Sequence, residues 1–106
     1  MSDRFNRSIV FFDLPTITAA DRRNYNRFRK MLIKNGYIML QESVYCRMIT
    51  TENMGKTLEN LIIQNKPPEG IVQLLRITER QFSKMKYIVG EYQSDIIDSD
   101  ERIIVL

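Results

Sequence analysis

Asp13 stands where an apolar run, Ile9-Val10-Phe11-Phe12, meets Leu14-Pro15-Thr16, and it is the residue of this 106-residue chain best placed to do chemistry. A carboxylate at a strand end can help to hold Mg²⁺ or Mn²⁺, hard cations that take oxygen ligands and keep part of their water shell. Such an ion activates water against a phosphodiester or stabilises charge on the leaving oxygen. Asp13 is therefore the candidate catalytic and metal-binding residue. An Asp before Leu-Pro also commonly accepts backbone N–H bonds in a turn, and spacing alone favours that structural role over the metal one. One carboxylate per chain falls short of a metal site by the usual count of ligands.

The residues that are missing narrow the chemistry. There is no His, which excludes His-based triads, His-ligated metals and a histidine general base. Cys46 is alone, which excludes an internal disulfide and a paired-thiolate zinc site, and it reads as a buried strand thiol of a reducing compartment. Any hydrolysis must run on carboxylates.

A second constellation is cationic. Arg23, Arg27, Lys30 and Lys34 fall within about 60° of one another at the helical 100° per residue, with Arg22 and Arg29 on the flanks. Duplex DNA presents one charge per ~1.7 Å of axis, so cations spaced along a helix can meet several phosphates. No Gly-rich phosphate loop, zinc finger or helix-turn-helix pattern is present, so the contact expected is to the backbone without base readout. An ordinary solvated helix face gives the same pattern. The wider charge distribution is uneven: residues 1–50 carry nine Lys/Arg against four Asp/Glu, and residues 51–106 carry seven against nine.

The elements that must position these residues follow from hydrophobic periodicity. Arg7–Leu14 is a strand whose continuous apolar run predicts cover on both faces. Thr18-Ala-Ala-Asp21 has capping-box spacing and opens a helix to about Asn35, ended by Gly36, with Tyr25, Phe28, Met31 and Leu32 on its core side. Tyr37–Gln41 and Val44–Ile49 are two strands joined at Glu42-Ser43, which lacks the Asn-Gly of a tight hairpin. Thr51 caps a second helix with Met54, Leu58, Leu61 and Ile62 on one face. Lys66–Gly70 is a break, and Ile71–Ile77 is a strand. Thr78–Gln81 opens a short helical turn. Met85–Val89 and Arg102–Leu106 are further strand candidates.

This order, βαββαβ, predicts an α+β, ferredoxin-like antiparallel sheet with both helices on one face, as one domain over 1–106 with 91–106 as a C-terminal extension. Alternation puts Ile9, Phe11 and Asp13 on one sheet face and Val10, Phe12 and Leu14 on the other. Both faces are apolar and the helices can cover only one. A second copy is the expected cover, in a sheet-to-sheet homodimer that brings two copies of Asp13 toward one axis. No apolar run reaches the ~18 residues of a membrane span. The expectation is a soluble, cytoplasmic protein with no membrane partner.

Phe12-Asp13-Leu14-Pro15-Thr16, the basic helix ending Asn35-Gly36-Tyr37, the segment Gln41-Glu42-Ser43-Val44-Tyr45 and the close Ser99-Asp100-Glu101-Arg102 together resemble the CRISPR-associated protein 2 family over nearly the whole chain. The tail resembles the subtype that accompanies a single large RNA-guided nuclease. The resemblance implies a homodimer that bridges two dimers of the CRISPR-associated integrase, carries the middle of a duplex protospacer DNA and serves spacer acquisition. Members of the family are also described as Mg²⁺-dependent nucleases acting on RNA or duplex DNA, and Asp13 matches the family's metal-associated aspartate. A metal-dependent endoribonuclease of toxin-like ferredoxin fold is the alternative. Arg102, Ile103, Ile104 and Val105 are the expected partner-binding strand, added to a neighbour's sheet edge, or else a further strand of the chain's own sheet.

Overall fold

In the computed structural model, which describes residues 6–91, the apolar run becomes β1 (Asn6–Asp13). It lies between β3 (Val44–Ile49) and β4 (Ile71–Thr78), with β2 (Ile38–Gln41) outside β3, giving the order β2-β3-β1-β4. Every neighbouring pair is antiparallel. Two helices, α1 (Ala19–Lys34) and α2 (Glu52–Gln64), alternate with the strands, and a short α3 (Glu79–Ser83) follows β4. This is the expected α+β ferredoxin-like architecture.

The register explains how the two faces divide. Val10 pairs with Tyr45 and Leu74, and Ile9 pairs with Cys46 and Leu75, so side chains alternate across the sheet as one set. Val10, Phe12, Leu14, Tyr45 and Ile49 form one core with Phe28 and Leu32 of α1 and Leu58 and Ile62 of α2. Phe12 is its centre: the rings of Phe28, Tyr45 and Tyr25 lie 5.2, 5.7 and 5.8 Å from its own, within the range where aromatic contacts add to burial.

Local chemistry sets the ends of α1. The Thr18 hydroxyl accepts from Asp21 N–H while the Asp21 carboxylate accepts from Thr18 N–H, a complete capping box. At the other end Gly36 has φ +90°, with Gly36 N–H donating to Ile33 and Tyr37 N–H to Leu32, the paired bonds of a Schellman ending. Arg47 Nη1 donates to the Asn35 carbonyl, placing a cation at the negative end of the helix. Beneath it, Ser8 and Tyr37 hydroxyls share a buried 2.8 Å hydrogen bond.

The second sheet face is apolar, as expected, but the chain covers part of it. Arg7 donates to the Glu79 carboxylate from Nε at 2.6 Å and Nη2 at 3.3 Å, and lies 4.2 Å from the Phe82 ring centre, which fastens α3 to this face. Ile9 and Cys46 are buried, while Phe11, Met48, Ile71 and Leu75 remain exposed at 36–58%. Between this face and residues 85–91 runs a groove lined by Ile9, Phe11, Leu40, Val44, Met85 and Tyr87.

Met85–Val89 is not a strand, contrary to the sequence expectation. β1 is paired on both sides, and α3 turns the chain across the sheet face rather than along an open edge. The alternating Met85, Tyr87 and Val89 therefore line a groove over Ile9 and Phe11 instead of pairing with the free edge of β4 or β2. Arg102–Leu106, with the partner-binding Arg102, Ile103, Ile104 and Val105, lies outside the described residues.

Candidate metal and nucleic-acid site

Asp13 ends β1 at its pairing with Ile71, exposed on the same face as Ile9 and Phe11. Three connections converge on it. From the α2–β4 loop comes Gly70, at φ +98°, packed so closely that a Cβ would stand 2.7 Å from the Asp13 carbonyl oxygen. From the β2–β3 turn, the Ser43 carbonyl accepts the Phe12 N–H at 3.0 Å. From the β1–α1 loop come Leu14, Pro15 and Thr16, whose path is fixed by Arg22: its Nη1 donates to the carbonyls of Ile17 at 2.9 Å and Thr16 at 3.3 Å.

The β1–α1 loop and the β2–β3 turn, with the start of α1, border an open cleft of about 360 Å³ lined by Asp13, Thr16, Arg22, Asn26, Glu42 and Ser43 among others. Asp13 is therefore joined there by a second carboxylate, Glu42, which sequence reasoning missed. The signal was available in the strand pairing. With Phe11 opposite Val44, the residues just before Val44 must stand beside the end of β1. Among the described residues no group of three or more Asp, Glu, Cys or His is gathered to hold an ion. Two carboxylates fit Mg²⁺ or Mn²⁺, which bind through one or two carboxylates and complete the shell with water and phosphate oxygens.

The structure divides the predicted basic set. Arg22 belongs to the Asp13 cavity. Arg23, Arg27, Lys30 and Lys34 stand on the outer face of α1, opposite the buried Phe28 and Leu32. None of the four is in an ion pair with a described residue; the two pairs found are Arg7–Glu79 and Arg76–Glu52. At 1.5 Å per residue, the stripe from Arg23 to Lys34 is about 16 Å long.

Cys46 is distant in character from any such chemistry. Burial pushes its thiol above the ordinary range, a rise opposed by the hydrogen bond from Arg7. Tyr37 is raised for the same first cause, its bond with Ser8 acting the other way. Hydrogen bonding to Glu79 raises Arg7. A neutral, buried thiol in mid-sheet is no nucleophile.

The family model described as "CRISPR associated protein Cas2" matches residues 6–85. A protein of Treponema denticola named CRISPR-associated endoribonuclease Cas2 is 48% identical over 94% of this chain and 99% of its own length. A protein of the same name from Lacticaseibacillus rhamnosus is 44% identical over the same shares. A solved structure described as "Crystal structure of cas2" matches with a TM-score of 0.60 at 18% identity, covering 84% of this chain and 91% of that one, a likeness of fold.

Proposed function

We propose, from the premise that this chain belongs to the CRISPR associated protein Cas2 family, that it is a homodimeric scaffold of CRISPR adaptation. In this reading it binds the backbone of duplex protospacer DNA and bridges dimers of the CRISPR-associated integrase in the cytoplasm. The observation that carries it is the stripe Arg23, Arg27, Lys30 and Lys34 on the outer face of α1, free of ion pairs with described residues. A second copy across the exposed Phe11, Met48, Ile71 and Leu75 doubles that footprint. Arg102, Ile103, Ile104 and Val105 supply the strand for the integrase's sheet edge. No described helix is long and apolar enough to cross a membrane.

Reversing Arg27 and Lys30 to Glu tests the reading. Duplex affinity falls, and the slope of log K against log salt drops by about one for each phosphate that is no longer neutralised. An unchanged slope removes the helix from DNA binding. Co-purification with the integrase and sedimentation of the free protein test the two assembly statements.

The Asp13 cavity favours a second activity, metal-dependent endonuclease cleavage of RNA or duplex DNA, in keeping with the relatives' name of endoribonuclease. Asp13 and Glu42 would hold Mg²⁺ or Mn²⁺, and the ion supplies Lewis acidity toward water and the leaving oxygen. Glu42 gives each chain a second carboxylate of its own, beside any that a twin brings to the two-fold axis. Asp13→Ala then abolishes metal-dependent cleavage while leaving complex assembly and spacer acquisition in place. Cleavage that persists in this variant places the activity elsewhere.

A further inference from the structure

Ser43 has φ +66°, and the other three positive-φ positions among the described residues, at 36, 70 and 90, are all glycine. Glycine takes this conformation without a Cβ penalty, whereas other residues are strained by it. Gln41 pairs with Val44, so Glu42-Ser43 is a two-residue turn, and Gly or Asn is the usual occupant of a left-handed turn position. Strain of this kind is kept where the surroundings need the side chain.

The main chain does not account for the serine. Its carbonyl holds the Phe12 N–H, a task a glycine performs equally well. What glycine lacks is the hydroxyl. Ser43 lines the cavity with Asp13, Glu42 and Arg22, and its hydroxyl makes no hydrogen bond to any described residue. Arg22 beside it has engaged only Nη1, leaving guanidinium donors for an anion.

We infer that Ser43 is a substrate-binding residue whose hydroxyl donates to a phosphodiester oxygen of nucleic acid seated at the Asp13 cavity. The inference rests on the nucleic-acid reading above and deepens it. The phosphate is met by neutral and cationic donors from Ser43 and Arg22, with the carboxylates left to the divalent cation that accompanies it. Because duplex DNA and RNA present the same phosphodiester, both serve as probes.

The experiment measures, for the full chain in Mg²⁺, the melting temperature and the affinity for a labelled DNA duplex and a single-stranded RNA. Ser43→Gly raises the melting temperature by roughly 4 °C, as relief of the turn strain requires, yet weakens binding of the true ligand by about tenfold. Ser43→Asn, which tolerates the turn and restores a donor, recovers most of the affinity. Loss confined to one probe identifies the ligand. If the unaltered protein binds a probe and Ser43→Gly binds it equally well, the inference fails and the scaffold reading stands. If the unaltered protein binds neither, both fail. A Ser43→Gly variant that melts lower overturns the strain argument.

Discussion

Replacing Gly70 with alanine tests whether the α2–β4 loop acts as a backstop for Asp13. Two costs are expected. The backbone at φ +98° is left-handed, which costs an L-residue about 1–2 kcal/mol. The new methyl would also stand 2.7 Å from the Asp13 carbonyl oxygen, 2.8 Å from Leu14 Cδ2 and 3.1 Å from Leu14 Cα. Crowding against strand backbone and a buried leucine costs about 1–3 kcal/mol more. Gly90 supplies the control: at φ +89° it has the same backbone demand with nothing within 4 Å. Alanine also stiffens the unfolded chain, by about 0.4–1 kcal/mol in either variant, so the difference between the two isolates the crowding. Urea melts of the two variants should differ by about 1–3 kcal/mol, with Gly70→Ala the weaker. The amide resonances of Asp13 and Leu14 should move in Gly70→Ala and stay fixed in Gly90→Ala. Equal stabilities, with those resonances unmoved, would refute the claim that Gly70 sets the position of Asp13.

The buried Ser8–Tyr37 pair gives a double-mutant test: Tyr37→Phe strands the Ser8 hydroxyl and should cost about 1–3 kcal/mol, and adding Ser8→Ala should recover part of it in a thermal melt. Alkaline pH gives another. Cys46 and Tyr37 both have folded-state pKa values raised by burial, so their contribution is complete below the ordinary thiol and phenol ranges and is lost as pH rises through the folded values. Urea midpoints should therefore hold steady near neutrality and fall above about pH 9, and Cys46→Ala should remove the earlier part of that fall. A midpoint that climbs with pH would reverse the sign of the argument.

The helices and strands were legible because each carries its period on its surface. Phe28 and Leu32 repeat at helical spacing, and Val10 and Phe12 alternate against Ile9 and Phe11. The caps at Thr18, Thr51 and Thr78 were legible from spacing alone. Asp13 was legible as a strand-end carboxylate, and its face followed from alternation. What surrounds it was not, because Glu42, Ser43 and Gly70 reach it from connections remote in the chain, and only strand register brings those together. Met85–Val89 misled for a related reason. Alternation records which side chains seek cover, and the same pattern serves a segment lying across a sheet as one paired within it. Arg22 shows the limit of a helical wheel: it sits beside the basic stripe by angle, yet its guanidinium turns back to the preceding loop.

The sheet is polarised end to end. At the Asp13 end, the β2–β3 turn holds Phe12 through the Ser43 carbonyl, Gly70 of the α2–β4 loop packs on the Asp13 carbonyl, and the Arg22 guanidinium holds the β1–α1 loop. At the far end, Arg7 grips α3 and Arg47 closes the tip of α1. One pole is set by turns that close on the end of the same strand, and the other is an anchorage of long side chains reaching to helix ends. Lengthening the β2–β3 turn or the α2–β4 loop removes a contact made directly on Phe12 or Asp13, so insertions that leave the aspartate undisturbed belong at the opposite pole.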